Sequence, residues 1–301
     1  MDVDARQLSY FLAIVDHGGF GRAAEHLHIA QPSLSQAIAG LERELGVDLF
    51  HRVGRGVVLT DTGTRLIEPA RRVVRDLEAV RDTAHSARGL RRGRVDLISM
   101  PSPGIEPLTT MMASFARAHP LMTVNVAGAF TPEDVVHGVR SGAAEIGLMG
   151  SEGHPRTADL RVLPIEDQPL VLISPPETEG LAPGRVGGAD LGGLRLIVSQ
   201  PGSLMRRLVD DILASGADVH LAAEVDHRTS ILPMVLAGLG HAVTPSSWKP
   251  LATRMGAQVR LLDPAPRLRV VVVSRASRPT PAAQAFLETA ERYAEEHGTI
   301  S

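Results

Sequence analysis

The sequence predicts an N-terminal winged helix-turn-helix domain, mostly α with a β-wing, followed by a long linker helix and an α/β domain of two subdomains. Three short amphipathic segments and a β-prone hairpin occupy residues 1–60, and one long amphipathic segment with a hinge occupies residues 61–94. After that, short apolar runs alternate with helical stretches, which indicates parallel α/β sheets. We expect subdomain I to combine residues 95–165 with 267–301, and subdomain II to span residues 166–266.

The first three helices are predicted from apolar periodicity and from residues that cap helix ends. Asp4 opens the first helix with Gln7 at the capping-box spacing, and Gly18-Gly19 closes it. The second runs from about Gly21 to Leu27, and the third opens at Pro32, a residue type favoured at the first helical position. The short turn between the second and third helices is expected to set the third across the second.

A β-hairpin is predicted directly after the third helix. The β-prone runs Leu49–Arg52 and Val57–Thr60 flank the glycine-rich segment Val53-Gly54-Arg55-Gly56. Three short helices followed by a hairpin make a winged helix-turn-helix.

The long helix, expected from about Asp61 to Arg88, carries an apolar seam with alternating spacings of four and three residues. This is a heptad pattern, and it predicts a dimerising helix. The alternative is an amphipathic helix that lies on its own domain, but a polar segment this long has little reason to stay helical alone. Pro69 is expected to kink it. The seam residues predicted to meet a second copy are Leu66, Ala70, Val73, Leu77, Val80 and Ala84.

The remaining chain is predicted to contain strands, a helix over Ile105–Ala118, and a further helix that begins at Thr131 with Asp134 at the capping-box spacing. The C-terminal strand and helix, ending at His297, exceed what the second half needs, so we expect them to return and complete the first half. The predicted strands are Val95–Ile98, Thr123–Val126, Glu145–Met149, Gln168–Ile173, Arg195–Val198, Ala242–Thr244 and Leu268–Ser274.

Composition limits the function classes. The chain of 301 residues has 44% hydrophobic and 22% charged residues and a net charge of −3, typical of soluble globular proteins. No apolar run approaches a membrane span of ~20 residues, and the acidic start Met1–Asp4 is unlike a secretory signal, so we expect a cytoplasmic protein. Cysteine is absent, and the 12 histidines show no metal-ligand spacing. We therefore predict no metal and no cofactor.

The outer face at the start of the third helix carries small hydrogen-bonding side chains. Glutamine can pair with adenine edges, serine can meet a base or a phosphate, and a helix N-terminus favours phosphate. Arg52 and Arg55 bracket the wing, where they could reach the DNA backbone or a narrow minor groove. Taken singly, all of these residues could equally be helix caps or solvated surface. The predicted DNA-contacting residues of the helix are Gln31, Pro32, Ser33, Ser35 and Gln36.

The spacing of residues over the first third of the chain is specific. It resembles the signature of LysR-type transcriptional regulators, and the architecture after residue 94 is also similar to that family. One departure is visible, because Gly19 and Gly21 stand where the family usually carries Ser or Thr. The matching segments are Gly19-Phe20-x-x-Ala23-Ala24-x-x-Leu27, Gln31-Pro32-Ser33-Leu34-Ser35, Ile38-x-x-Leu41-Glu42-x-x-Leu45-Gly46, Leu49-Phe50-x-Arg52 and Leu59-Thr60-x-x-Gly63.

The resemblance implies a set of partners and a fold for the second part. The protein would bind double-stranded DNA at an interrupted palindrome with A·T-rich half-sites, as a homodimer or homotetramer, with RNA polymerase as a further partner. The α/β part would be similar to type 2 periplasmic binding proteins, with a small-molecule effector between its subdomains.

Helices that open directly after strands present free N–H groups to the expected cleft. A small, polar and by default anionic effector follows, although Glu106 and the lack of an arginine at Met149-Gly150 weaken that default. Each hydroxyl in the set could instead be a helix cap with no ligand role. The predicted effector-binding residues are Ser99, Pro101, Ser102, Thr131, Gln200, Pro201, Gly202, Ser203 and Thr229.

Two other classes of protein stay open. One is a solute-binding protein or small-molecule enzyme on the same two-lobed fold, but the chain has no Gly-x-Ser-x-Gly elbow, P-loop, dinucleotide glycine motif or metal-ligand set, and no export signal. The other is a protein-docking module whose DNA function has lapsed. The sequence favours a regulator and predicts no enzyme activity.

Overall fold

The computed structural model describes residues 3–53, 56–86, 93–151, 157, 159–181, 184–201, 203–214, 218–277 and 279–297. Contacts between Cα atoms divide the chain into two compact units. The first is Met1–Gly93 with Arg140–Ala143, and the second is Arg94–Val139 with Ala144–Ser301.

Three helices build the first unit: α1 (Ala5–His17), α2 (Phe20–His26) and α3 (Gln31–Leu45). The predicted capping box of α1 is formed, because Asp4 Oδ1 accepts from Arg6 N and Asp4 N donates to Gln7 Oε1. These two bonds satisfy N–H groups that a helix start otherwise leaves without partners.

The core of this unit lies between the inner faces of the helices and the wing. The rings of Phe11 and Phe20 lie 5.5 and 5.6 Å from that of Phe50 between centroids, so an aromatic cluster joins the helices to the hairpin. The fully or almost fully buried apolar residues around it are Leu8, Ile14, Ala23, Ala24, Leu34, Ile38, Leu41 and Leu49.

The wing and the long helix follow as predicted in order. Strands β1 (Phe50–Val53) and β2 (Gly56–Leu59) pair antiparallel, with Phe50 opposite Leu59. Helix α4 (Asp61–Ser86) contains Pro69 in its interior. The predicted end of this helix at Arg88 and most of the predicted hinge lie outside the described residues.

The second unit is built on a mixed eight-stranded sheet in the order β4-β3-β5-β12-β6-β11-β7, with β10 also paired to β6, and on a separate pair β8-β9. Its strands are β3 (Gly93–Ser99), β4 (Met122–Gly128), β5 (Ile146–Ser151), β6 (Leu160–Ser174), β7 (Arg185–Gly187), β8 (Arg195–Ser199), β9 (His220–Val225), β10 (Ala242–Pro245), β11 (Gln258–Asp263) and β12 (Arg267–Arg275). Its helices are α5 (Pro101–Ile105), α6 (Leu108–Ala118), α7 (Pro132–Arg140), α8 (Leu204–Ala214), α9 (Ile231–Leu236), α10 (Lys249–Arg254) and α11 (Pro281–His297).

Strand directions are mixed rather than all parallel, which corrects the expectation of purely parallel sheets. β3 runs parallel to β5, and β8 to β9, whereas β12 lies antiparallel between β5 and β6. The long strand β6 pairs with β12 over its first two-thirds and with β10 and β11 over its last third. It is therefore shared by both halves of the sheet.

The C-terminal elements pack on the first half of the sheet. Val270 and Val272 of β12 share a core cluster with Leu97 of β3 and Ile146 of β5. Helix α11 joins the same cluster, and its Phe286 ring lies 5.3 Å from that of Phe115 in α6 between centroids.

One predicted helix is wrong in its extent. Ile105–Ala118 is not a single helix, because α5 ends at Ile105 and α6 begins at Leu108. Pro107 disfavours the helical conformation in the residue before it, and Glu106 is extended at φ −143° and ψ 136°. Glu106 thus closes α5 and does not lie in the first turn of a longer helix.

The strand predicted at Gln168–Ile173 is longer in the structure. β6 begins eight residues earlier, at Leu160, and includes Pro164 and Pro169. Prolines normally argue against a strand interior, but a register irregularity at Val270 and Val271 of β12 lies opposite this stretch.

Three strands that the sequence did not predict are β7, β9 and β11. Across the described ranges, no helix has the length and apolar character needed to cross a bilayer.

Candidate nucleic-acid interface and effector cleft

The start of α3 is exposed. Gln31, Pro32, Ser33 and Gln36 are exposed, while Ser35 is half-buried. The N-cap Ala30 has no side chain that can bond the first turn. The early N–H groups of α3 are therefore not capped by a side chain, an arrangement that suits a phosphate.

The opposite face of α3 holds it against the other helices. Leu34, Ile38 and Leu41 are all buried in the core of the first unit. Gln36 lies two residues from both Leu34 and Ile38, on the opposite side of the helix, so this burial directs it outward. Gln31 shares the spacing of the buried stripe and is exposed because it is the first residue of the helix.

The wing arginines are placed only in part. Arg52 lies in β1 opposite Val57, but its side chain and the whole of Arg55 are outside the described residues. Their contact with DNA stays a prediction.

The start of α2 lacks a side-chain cap. Gly19 is its N-cap at φ 155°, a backbone conformation that side chains disfavour, and Gly21 is exposed. The nearby guanidinium of Arg22 is exposed and donates from Nη2 to Gly18 O at 2.8 Å. The sequence reading did not single out Arg22, although its position one residue after Gly21 was a usable signal.

The apolar seam of α4 divides into two parts. Leu66 is half-buried and Ala70 is 1% exposed, and both pack on the core of their own unit. Val73, Leu77 and Val80 are 44%, 42% and 65% exposed, and the side chain of Ala84 is outside the described residues. The start of the seam thus fits the alternative of a helix that packs on its own domain. The middle of the seam is an exposed apolar stripe.

In the second unit, Ser99 and Ser102 are buried and Pro101 is half-buried where β3 leads into α5. Ser99 Oγ donates to Met100 O at 3.0 Å, so this hydroxyl is engaged locally.

Thr131 caps α7. Its Oγ1 accepts from Asp134 N at 3.1 Å, and its own N–H donates to Asp134 Oδ2 at 3.0 Å. Hydrogen bonds to the Asp134 carboxyl from the side chain of Thr131, and then from its backbone N–H, hold the pKa of this carboxyl below its usual range. Thr131 is exposed, so the cap and a place beside a cleft are compatible.

Ser203 has a similar role at α8. Its buried Oγ lies 2.8 Å from Ser199 Oγ and accepts from Arg206 N at 3.1 Å. Arg206 in turn donates to Asp210 Oδ1 at 2.8 Å and to Glu224 Oε2 at 2.5 Å, and these hydrogen bonds raise the pKa of its guanidinium. Arg206 is therefore already held by two carboxylates.

Gln200 and Pro201 are exposed just before α8, while Gly202 is outside the described residues. Gln200 lines a cavity of about 470 Å³ together with residues at the end of β9 and in the segment that follows it. Thr229, which is exposed, lies in a 3-10 helix at Arg228–Ser230 that contacts α5. The other residues that line the cavity, and that the sequence reading missed, are Glu224, Val225, Asp226, His227, Ser230 and Met234.

Arg228 is a further residue that the sequence did not reveal. It is half-buried, and burial lowers the pKa of its guanidinium. Within the ranges that the structure describes, no ion pair or hydrogen bond involves this group. A desolvated cation without a counter-charge suits an anionic ligand.

Two family models match the chain. The one described as "Bacterial regulatory helix-turn-helix protein, lysR family" matches residues 5–64, and the one described as "LysR substrate binding domain" matches residues 88–295.

The chain belongs to the LysR family.

Relatives of this LysR-type protein are named as transcriptional regulators. It is 31% identical over 296 residues to the HTH-type transcriptional regulator IlvR of Caulobacter vibrioides. The match covers 95% of this chain and 96% of that protein. It is 28% identical over 292 residues to the RuBisCO operon transcriptional regulator of Allochromatium vinosum, which covers 96% and 95%. At the family level these relatives point to a regulator rather than an enzyme.

Solved structures show the same fold. CbnR, a LysR family transcriptional regulator, has a TM-score of 0.69 at 24% identity, covering 97% of this chain and 99% of that chain. A full-length OxyR from Pseudomonas aeruginosa has a TM-score of 0.71 at 23% identity, covering 98% and 95%. This protein is a DNA-binding LysR-type transcriptional regulator with a helix-turn-helix domain and an effector-binding domain.

The LysR-type signature has a structural basis in this chain. Glu42 Oε1 accepts from Leu49 N at 2.8 Å and from Phe50 N at 3.3 Å, so α3 is tied to the start of the wing. Thr60 Oγ1 accepts from Gly63 N at 2.9 Å and donates to Asp48 O at 2.8 Å. These motif residues hold the wing in place.

Proposed function

We propose that this regulator binds an interrupted palindrome with A·T-rich half-sites, as a homodimer or homotetramer, and that a small polar effector between its two subdomains modulates this activity. The observation that carries the proposal is the start of α3, where Gln31, Ser33 and Gln36 are exposed and Gln36 lies opposite the buried face.

The proposed DNA contacts follow from the exposure and chemistry of that turn. Gln31 and Gln36 would meet base edges in the major groove, and Ser33 and the backbone N–H groups of α3 would meet phosphate. We add Arg52 and Arg55 of the wing, as predicted, and Arg22 beside α2. Arg22 supplies a phosphate-binding group near the place where Gly19 and Gly21 lack a hydroxyl. The related regulator CbnR has been solved in complex with its target DNA.

The proposed dimer contact is the middle of α4. Val73, Leu77 and Val80 are an exposed apolar stripe at heptad spacing, and burial of such a stripe against a second copy is favourable. Leu66 and Ala70 belong to the core of the first unit in this proposal. Two helix-turn-helix domains related by two-fold symmetry suit a palindromic site.

The proposed effector cleft lies among the strand-to-helix junctions of the second unit. The contact of α5 with the 3-10 helix at Arg228–Ser230, and the cavity beside Gln200, support this placement. Arg228, which lies in the 3-10 helix next to this cavity along the chain, favours an anionic group on the effector. Glu224 and Asp226, which line the cavity, favour a further hydrogen-bond donor on it. The proposed wall residues are Ser99, Pro101, Ser102, Thr131, Gln200, Pro201, Gly202, Ser203 and Thr229.

We further propose the subdomain division given by the sequence, which the pairing of β12 with β5 supports. A regulator that acts on chromosomal DNA works in the bacterial cytoplasm, and RNA polymerase is the further partner that transcription control requires.

A mobility-shift assay with the intergenic DNA beside the regulator's own gene tests the proposal. Gln36→Ala should weaken binding to this DNA more than binding to random DNA of the same length, by about 1–3 kcal/mol for a bidentate base contact. Gln284→Ala in α11, an exposed residue of the second unit, is the matched control. Equal loss on both DNAs would show that Gln36 does not read sequence, and affinity that is indifferent to salt would contradict phosphate contact.

A further inference from the structure

A second cavity, of about 460 Å³, lies in the second unit between β6, α11 and the 3-10 helix that follows β10. Glu106, Glu166, Gln168, Ser247 and Tyr293 are among the residues that line it. It shares no lining residue with the cavity beside Gln200.

Gln168 is the unusual group in this cavity. It is 3% exposed, and its Nε2 donates to Glu106 O at 3.1 Å and to Glu166 Oε1 at 2.5 Å. Both partners are acceptors, so the opposite amide orientation would place oxygen against oxygen. Its Oε1 is consequently left without a hydrogen-bond partner, which is costly for a buried acceptor.

The charges around this acceptor are negative. Tyr293 donates from its hydroxyl to Glu166 Oε2 at 3.1 Å, and burial together with the charges of Glu166 and Glu106 raises the Tyr293 pKa. Tyr293 therefore stays protonated. The neighbouring Asp167 is different, because Arg269 donates two 3.0 Å bonds to it. Within the part of the chain that the structure describes, Glu106 and Glu166 form no such ion pair.

A metal ion fits this cavity less well than an organic cation. In the part of the chain that the structure describes, no three His, Asp or Glu side chains are grouped so that they could hold a metal. Two carboxylates and an amide oxygen are instead three separate hydrogen-bond acceptors, which match the several N–H donors of an ammonium or guanidinium group.

We propose that this cavity binds a small organic cation with a primary ammonium or guanidinium group, held by the carboxylates of Glu106 and Glu166. Gln168 Oε1, which is buried in this structure, becomes the third acceptor when its side chain shifts towards the bound cation. The lining residues come from both proposed subdomains, and β6 is the strand that pairs with both halves of the sheet. A bound cation therefore bridges the two halves at a place other than the effector cleft.

Isothermal titration of the full-length regulator with n-butylammonium chloride tests the site. Sodium butyrate, n-butanol and magnesium chloride at matched ionic strength are the comparison ligands. We expect saturable binding of butylammonium alone, and an increase in Kd of about tenfold for E106Q, since a charge-assisted hydrogen bond is lost. The control E133Q, at an exposed glutamate of α7, should leave Kd unchanged.

E106Q keeps the backbone oxygen that Gln168 contacts, so the fold is expected to persist, and far-UV circular dichroism checks this. E166Q should also weaken binding, and if it unfolds the protein, E106Q alone decides. Absence of saturable butylammonium binding in the millimolar range would overturn the proposal. So would saturable binding of Mg²⁺ that displaces butylammonium, equal binding of butanol, or a Kd that E106Q does not change.

Discussion

Gly63→Ala is the most direct test of how the LysR-type signature holds the wing in place. A Cβ atom at position 63 would lie 2.2 Å from Leu49 O and 2.9 Å from Leu59 Cδ2. Leu59 could rotate away, but Leu49 O is backbone, and it also accepts the N–H of Thr60. The added methyl group therefore has to move the start of α4 away from the wing.

The magnitude follows from two opposing effects. Overpacking costs about 1–3 kcal/mol, and a backbone clash this close belongs at the upper end of that range. Alanine in place of glycine in a helix recovers about 1 kcal/mol. We therefore expect the free energy of unfolding of the first unit to fall by about 2 kcal/mol, which shifts the melting temperature of so small a unit by on the order of 10 °C.

Thermal unfolding of the full-length protein, with hydrogen exchange on peptides from β1 and β2, measures this effect. Gly21→Ala is the matched control, because Gly21 lies in α2 and its added Cβ meets nothing within 4 Å. It should leave the melting temperature unchanged or raise it slightly. The proposed clash is refuted if the Gly63→Ala and Gly21→Ala proteins have the same melting temperature and the wing amides exchange at the same rate in both.

Three further predictions follow from the same contacts. Glu42→Gln should lower the free energy of unfolding of the first unit by about 1–2 kcal/mol, because a charged acceptor of two wing N–H groups becomes neutral. Urea unfolding measures this free energy, and an unchanged value in the variant would contradict the prediction. Leu77→Glu should shift the proposed dimer towards monomer in analytical ultracentrifugation, since it places a charge in the exposed seam, whereas Asp76→Glu should not. Thr131→Val should raise the pKa of Asp134 towards its ordinary value in an NMR titration. Because the folded pKa of Asp134 is lowered, the stability from this cap is complete above the unfolded value of about 3.9 and is lost as pH falls through the folded pKa; an unchanged pKa in the Val variant would exclude the cap as its cause.

Much of the first unit, and the start of α7 in the second, could be predicted because their signals are local. Helix caps and apolar spacing involve residues three or four apart, and the capping boxes at Asp4 and Thr131 are both formed as the sequence indicates. The outward direction of Gln36 follows in the same way from the buried stripe of α3.

Predictions from the sequence are wrong where packing overrides a local pattern. The apolar spacing predicts one helix through Pro107, although this residue separates α5 from α6. The prolines of β6 argue against a strand, so the sequence does not predict the first half of β6. The α4 seam reads as one continuous heptad pattern, yet Ala70 is buried in its own unit while Val80 is exposed, because only the packed core decides which part of a stripe is already covered.

By itself, the sequence determined the family, the order of the first helices and the exposed face of α3, since each depends on short spacings along the chain. Only the tertiary structure decided which polar groups meet across long separations. Gln168 reaches Glu106 O over 62 positions, and Tyr293 reaches Glu166 over 127. No periodic pattern encodes such pairs, because chain folding rather than local geometry brings them together. The cation site that we propose therefore became visible only in the folded protein.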